Sequence, residues 1–153
     1  MVSPDLQRIA NILEYCSRIA KTVKRYGHDY NTFISDGDYF DSVSMKIMQI
    51  GELAGGLSEE FREKTKNRMQ WGAIRGMRNL FAHAYASMNK KIIWDVAVYD
   101  IPGLFQFCVD TLETEGINLQ LDSFETVYNL ADSEKPSVIA AIRAAETEYV
   151  GAD

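Results

Sequence analysis

Apolar residues recur at intervals of three and four along most of this chain, which is the spacing of one face of an α-helix. The first such stretch begins after Ser3, a capping residue, and Pro4, which suits the first helical turn, and Gly27 is suited to end it. This pattern predicts a first helix over residues 4–26. No segment alternates apolar and polar residues with a period of two, so we predict an all-α fold.

Capping residues predict where the next helices begin. Asp36 or Asp38 caps a second helix that ends at Gly55-Gly56, and the residues before it, 31–37, are predicted to form a loop. Ser58 is then suited to cap a short helical turn through Phe61, followed by a loop over residues 64–70.

Two further apolar stretches complete the core of the predicted fold. The first begins at Trp71, and the second runs from Ile93 to Leu112. Pro102 lies inside the second stretch and should kink it or split it in two, because proline removes a helical hydrogen bond. Amphipathic helices joined by short loops favour an antiparallel bundle of four to five helices.

The composition changes near residue 115. Residues 113–153 contain nine acidic side chains but only Lys135 and Arg143 as basic ones. We therefore predict a helical bundle over residues 1–115 and an acidic C-terminal extension over residues 116–153. Residues 118–130 are interpreted as a short helix or an irregular segment, and Pro136 is suited to begin a final helix.

The composition also predicts a cytoplasmic protein. We find no run of about 18 apolar residues and no basic region followed by an apolar one at the N-terminus, so neither a membrane span nor a signal peptide is expected. Cys16 and Cys108 lie far apart within apolar helical patterns. Such cysteines are typical of buried thiols in a reducing compartment.

The charge distribution is uneven, although the net charge is −6. Residues 62–91 contain eight basic side chains and only Glu63 as an acidic one. Such a block either creates a local anion-binding field or consists of scattered, solvated side chains. The sequence leaves both interpretations open.

Three residues with complementary chemistry lie inside this basic block. Arg78 offers a permanent charge on a planar fork that suits phosphate, His83 can carry a proton near neutral pH, and Tyr85 adds a phenolic hydroxyl. Together they could cleave a phosphodiester without a metal. The opposing interpretation is that His83 is a structural histidine. The other histidine, His28, is expected to be a solvated loop residue.

The spacing of Arg78 and His83 sets a geometric condition. Five positions on one continuous helix leave them about 140° apart around the axis, so they converge poorly. Convergence needs either a break near Ala82 or a second copy of the helix from another chain, as a twofold dimer would supply. Asn79, four positions before His83, can share the histidine's side.

Residues of the second predicted helix could face this motif. Glu52 either orients Arg78 or is a surface carboxylate, which is the commoner role for such a residue. Gly51, Gly55 and Gly56 follow no strand and are not a phosphate-binding loop. They are interpreted as sites of close helix packing.

RNA carries its own nucleophile, the 2′-hydroxyl, so a base, an acid and a cation would suffice to cleave it. His83 could act as base or acid, and two histidines from two chains could divide these roles. Arg78 would stabilise the charge that develops on phosphorus. Cysteines and histidines are too scattered for a zinc site, so we predict no metal and no cofactor.

The segment from Trp71 to Asn79, followed by His83-Ala84-Tyr85, resembles a known family. It is similar to the HEPN-domain proteins, and specifically to the HepT-like ribonuclease toxins that are paired with a minimal nucleotidyltransferase antitoxin. The resemblance covers roughly residues 5–112. Supporting matches are Ile50-Gly51-Glu52-Leu53-Ala54, Trp94 and Asp100-Ile101-Pro102-Gly103-Leu104.

This resemblance implies a HEPN-like helical bundle that dimerises, with two motifs lining a shared cleft. It implies a metal-independent endoribonuclease that acts on RNA, with Arg78 and His83 as catalytic residues and Asn79 and Arg75 positioning the RNA. It also implies neutralisation by the nucleotidyltransferase, which would adenylylate Tyr85. The acidic extension continues beyond the usual end of the family.

Two other function classes remain open from the sequence. One is a non-catalytic HEPN module that binds a nucleotide or serves as the partner subunit of a nucleotidyltransferase. The other is a purely structural helical dimer. The complete set of Arg78, His83 and Tyr85 favours the ribonuclease, because a scaffold needs none of these side chains.

Overall fold

The computed structural model describes residues 2–84 and 89–117, and this part of the chain is helical throughout, without a strand. The all-α fold predicted from the apolar spacing is therefore confirmed. The predictions for residues 118–130 and for a final helix from Pro136 lie outside the described residues. The division into a bundle and an acidic extension accordingly stays a prediction.

Helix α1 spans Pro4–Arg25 and agrees with its prediction to within one residue. The Ser3 hydroxyl caps it by accepting a hydrogen bond from the Leu6 backbone N–H, at 3.2 Å. Gly27 adopts a φ of +84°, the left-handed conformation that glycine reaches without strain, and the chain turns there.

Helix α2 spans Tyr30–Ser35, where the sequence predicts a loop, so that prediction is wrong. Two interactions hold this short helix. The Asp29 carboxylate accepts hydrogen bonds from the Asn31 backbone N–H and, at 2.7 Å, from the Thr32 hydroxyl. Phe33 is completely buried in the core, which supplies the tertiary packing that a six-residue helix needs.

Helix α3 spans Gly37–Gly55, and Asp36, rather than Asp38, provides its cap. Helix α4 spans Glu59–Thr65 and begins at the predicted cap, Ser58. It runs past Phe61 to Thr65, two residues into the predicted loop. The reason is that the Thr65 hydroxyl accepts a hydrogen bond from the Trp71 indole N–H, at 2.8 Å, which ties the end of α4 to the next helix.

Helix α5 spans Trp71–Ala84. The last apolar stretch forms helix α6, Lys90–Asp95, then a π-helical segment, Val96–Asp100, and helix α7, Ile101–Thr114. Pro102 does not split this stretch, because the backbone stays helical from Lys90 to Thr114, but the regular helix gives way to a π-helical turn before the proline. The wider π turn lies directly before the proline, where a regular helix would bring the proline ring against a carbonyl of the preceding turn.

The stretch Lys90–Thr114 is long and apolar enough to cross a membrane by length and composition alone. However, 67% of its most apolar window is buried inside the protein. This apolar character therefore belongs to a core helix.

The core forms where four long helices meet. Helix α3 packs against α5 and α1, and α1 also packs against α7. Cys16 and Cys108 are buried free thiols, as predicted, and burial raises the pKa of both. Asp100 is also buried, at 1% exposure, and neither carboxyl oxygen has a hydrogen-bond partner. Burial raises the pKa of Asp100 to about 9, so this carboxyl is neutral at pH 7.

Candidate active site

Helix α5 is amphipathic, and this pattern decides where its arginines lie. Trp71, Ile74 and Met77 are each less than 5% exposed and face the core. Arg75 and Arg78 occupy the intervening positions and are exposed. The burial of the apolar residues therefore places both guanidinium groups on the outer surface of the bundle.

Helices α3 and α5 approach each other closely at Gly51. A Cβ atom at this position would lie 3.3 Å from both the Arg78 backbone N and the Ile74 backbone O. At Gly55, a Cβ would lie 3.8 Å from Nε of Arg75. The prediction of close helix packing is therefore confirmed at Gly51, where the neighbouring backbone is close. At Gly55 the distance is an ordinary contact, and at Gly56 a Cβ would meet the guanidinium of Arg8 rather than a helix backbone.

Arg78 pairs with Glu52 across the two helices. Nε of Arg78 lies 3.2 Å from Oε1 of Glu52, and the two side chains are 55% and 51% exposed. Glu52 is therefore a surface carboxylate, and it contacts Arg78. Exposed pairs of this kind contribute only about 0–1 kcal/mol to stability, so the fold does not depend on this contact.

The backbone of α5 continues without interruption from Trp71 to Ala84. The alternative in which a helix break near Ala82 lets Arg78 and His83 converge is therefore wrong. On this unbroken helix the two residues remain about 140° apart and about 7.5 Å apart along the axis. The side chains of Asn79 and His83, and the whole of Tyr85, lie outside the described residues.

Arg75 lies one helical turn before Asn79, and by helical geometry positions 75, 79 and 83 fall on one side of α5. Its side chain is exposed and lies beside Gly55 of α3. Among residues 2–84 and 89–117, no carboxylate forms an ion pair with its guanidinium. Its charge is therefore available to an anion on the same side of the helix as the predicted RNA-positioning residues.

The basic block of residues 62–91 does not form one cationic surface. Several of its members pair with acidic side chains: Lys66 with Glu63, Arg68 with Asp110 at 3.0 Å, and Lys91 with Asp95 at 2.8 Å. The structure thus favours scattered, solvated cations for these positions. Arg75 and Arg78 are the members of the block that lie on the exposed side of α5.

An open groove of about 810 Å³ lies between α4 and the beginning of α5. Arg62 and Lys66 line it, but so do Glu59 and Glu63. Its formal charges balance, so this groove offers no net attraction for a polyanion.

His28 is exposed, as predicted, and its φ of +53° places it in the turn after α1. Its ring lies 5.4 Å from the Trp94 ring, and partial burial lowers the pKa of the imidazole. Within the described part of the chain, no three His, Cys, Asp or Glu side chains are grouped so that they could hold a metal ion.

Comparison with known proteins identifies the family. Residues 12–110 match the family described as Ribonuclease HepT-like. A candidate RNase of Caldanaerobacter subterraneus subsp. tengcongensis is 31% identical over 107 residues, which cover 70% of this chain and 93% of the relative. A candidate RNase of Methanocaldococcus jannaschii is 29% identical over 92 residues, covering 60% of this chain and 82% of the relative.

A third relative, also from Methanocaldococcus jannaschii, is named as a gamma-glutamylcyclotransferase and candidate RNase. It is 28% identical over 105 residues, covering 65% of this chain and 46% of the relative. No solved structure matches the chain significantly. The family match spans well over half of the sequence, and this chain therefore belongs to the HepT-like ribonuclease family.

Proposed function

We propose that this protein is a metal-independent endoribonuclease whose active site is completed by two copies of α5 in a homodimer. The observation that carries this proposal is the unbroken α5 helix. Because Arg78 and His83 converge poorly within one chain, the histidine of one copy would act with the arginine of the other on a single phosphodiester of RNA.

The reaction needs no group beyond these side chains and the RNA. His83 would accept the proton of the 2′-hydroxyl as its oxygen attacks phosphorus, and a protonated histidine would return a proton to the departing 5′-oxygen. The products are a 2′,3′-cyclic phosphate and a 5′-hydroxyl. Arg78 would stabilise the negative charge that develops on the equatorial oxygens of phosphorus. Arg75 and Asn79 would hold the neighbouring backbone.

An exposed apolar residue supports the dimer. Met45 is 55% exposed, and it lies two helical turns before Glu52 on the same side of α3. A second copy that packs its α5 near Arg78 would reach this side of α3 as well, and it would cover the methionine.

We further propose that a nucleotidyltransferase antitoxin controls the ribonuclease by transferring AMP from ATP to the Tyr85 hydroxyl. Tyr85 follows His83 by two positions, so an adduct there would bring a negative phosphate and a bulky nucleoside close to the site that must accept RNA. Neutralisation would result from repulsion and steric exclusion of the RNA.

The catalytic proposal is tested with purified protein and end-labelled RNA. Wild type should cleave the RNA with EDTA present, and the 5′ fragments should end in a cyclic phosphate or its opened form. Arg78→Ala and His83→Ala should each lose at least about a hundredfold in rate. Arg68→Ala is the matched control, because Arg68 is also an exposed arginine in an ion pair, but on a different surface. Loss of wild-type activity on chelation would contradict the metal-free mechanism.

A further inference from the structure

We infer that Glu52 is a positioning residue, which holds the Arg78 guanidinium by its Nε so that both Nη groups remain free for a phosphate. This inference rests on the proposed ribonuclease function and adds a residue to its machinery. Glu52 itself would not touch the RNA.

The carboxylate of Glu52 contacts only one part of the Arg78 guanidinium in this ion pair. A guanidinium has five N–H donors, one on Nε and four on the two Nη atoms. The Glu52 contact is with Nε, at 3.2 Å. A carboxylate held there does not occupy the Nη–Nη edge, which can therefore still bind two phosphate oxygens in the bidentate arrangement that arginine favours.

The packing beneath the pair restrains the Arg78 main chain. Gly51 precedes Glu52 and brings α3 against the backbone N of Arg78, where a Cβ would be only 3.3 Å away. One turn of α3 thus contacts both parts of Arg78: Gly51 packs against its main chain, and Glu52 pairs with its guanidinium. Without the carboxylate, an arginine that is 55% exposed would sample several rotamers, and few of them would present the Nη edge to the same point.

A second ion pair in the protein provides a comparison. Arg68 and Asp110 also join two distant parts of the chain, at 3.0 Å, and their side chains are 52% and 40% exposed. This contact uses an Nη atom, whereas the Glu52 contact uses Nε, so the two arginines differ in the atom that the carboxylate approaches although their exposures are similar.

The experiment measures kcat and KM for RNA cleavage and the thermal midpoint of unfolding. It uses Glu52→Ala, Glu52→Gln and Glu52→Asp, with Asp110→Asn as the matched control. We expect Glu52→Ala to lower kcat/KM about three- to fivefold, partly through a higher KM because the phosphate is bound less well, with the melting temperature nearly unchanged. Glu52→Asp should recover part of the rate. Asp110→Asn should behave like wild type.

A double-mutant cycle then asks whether Glu52 acts through Arg78. Lysine has no Nε N–H for Glu52 to contact. In an Arg78→Lys background, the change Glu52→Ala should therefore lower the rate of RNA cleavage by a further factor of less than about two. If Glu52→Ala lowers the rate equally in both backgrounds, or leaves the wild-type rate unchanged, the positioning role is overturned.

A measurement that does not depend on cleavage separates this inference from the proposed function. The Arg78 Nε–H resonance is followed by NMR, and affinity is measured for an oligonucleotide with 2′-deoxyribose throughout, which cannot be cleaved by this mechanism. Glu52→Gln should shift that resonance and lower the affinity for the oligonucleotide severalfold, whereas Asp110→Asn should change neither the resonance nor the affinity. If wild type does not cleave RNA but these effects appear, the proposed function fails and the positioning role stands. If neither effect appears, the positioning role fails.

Discussion

At Arg78 the direction of the guanidinium matters as much as its charge. The group lies at the surface, where a flexible cation would be solvated and screened, and Glu52 gives it a defined direction. The arginine and its position on a helix are predictable from the sequence. The choice of Nε over Nη is not, because it depends on how α3 and α5 are placed relative to each other in space.

We predict that Arg78→Lys strongly impairs RNA cleavage although it keeps the positive charge. Lysine is a point charge that lacks both the fork for two phosphate oxygens and the Nε N–H that Glu52 holds. The expected loss in kcat/KM is about tenfold or more. The matched change Arg68→Lys should leave cleavage unchanged. Equal activity of Arg78→Lys and wild type would show that charge alone suffices.

At the scale of the elements, the packing of α3 on α5 determines the geometry of the site. Capping residues in the sequence predict the beginnings of α1, α3 and α4, because a cap is a local interaction. Helix α2 is not predictable from its own residues, because its stability comes from Phe33, which is buried against distant parts of the chain. The continuity of α5 through Ala84 excludes one alternative that the spacing of Arg78 and His83 leaves open, a break in the helix.

We predict that Gly51→Ala destabilises the protein even though alanine is the better helix former. The new methyl group would press on the Arg78 and Ile74 backbones at 3.3 Å, and such overpacking costs about 1–3 kcal/mol against a propensity gain of about 1 kcal/mol. Thermal or denaturant unfolding should show a net loss, and cleavage should fall because Arg78 moves. Gly103→Ala, where the Cβ meets nothing within 4 Å, is the control and should not lose stability.

Asp100, at the end of the π-helical segment, should make the stability of the fold depend on pH. Burial, together with the nearby Asp95, raises the pKa of Asp100 to about 9, far above its value in an unfolded chain. The folded protein therefore binds a proton there that the unfolded chain has released. This contribution to stability is fully present at pH below about 4 and is lost as pH rises towards 9.

Asp100→Asn should remove that dependence, because the amide has nearly the same shape and does not ionise. Relative to wild type, the variant should gain about 4 kcal/mol of stability as the pH is raised from 5 to 8, because each pH unit between the two pKa values contributes about 1.4 kcal/mol. Urea unfolding at several pH values measures the difference. A constant difference between the two proteins over this range would mean that Asp100 titrates normally.

At the scale of the whole molecule, the protein carries a net charge of −6 and yet is proposed to act on a polyanion. In the proposed site this conflict is reduced locally, because Arg75 and Arg78 lie together on the exposed side of α5, where Glu52 pairs with Arg78. Lys66, Arg68 and Lys91 pair with carboxylates elsewhere. The family is predictable from the motif on α5 and its flanking matches. The dimer and the regulation by a partner remain proposals.

We predict that co-expression with a partner nucleotidyltransferase adds AMP to the peptide that contains Tyr85, which mass spectrometry would detect as one or more nucleotide additions. The modified protein should remain dimeric but lose cleavage activity, because the adduct excludes RNA. Tyr85→Phe should fold and should still cleave RNA when it is co-expressed with the partner, because it lacks the hydroxyl that would accept AMP. If the partner silences Tyr85→Phe as well as wild type, the partner acts by covering the site instead.

The central claim is that one active site requires two copies of the chain, and mixed dimers test it most directly. Wild type is combined with the double variant Arg78→Ala/His83→Ala at constant total protein, with native mass spectrometry confirming that subunits exchange. If each site uses residues of both copies, every mixed dimer is inactive, and an equal mixture retains about a quarter of the wild-type activity. If one chain holds a complete site, the equal mixture retains about half, and the account is contradicted.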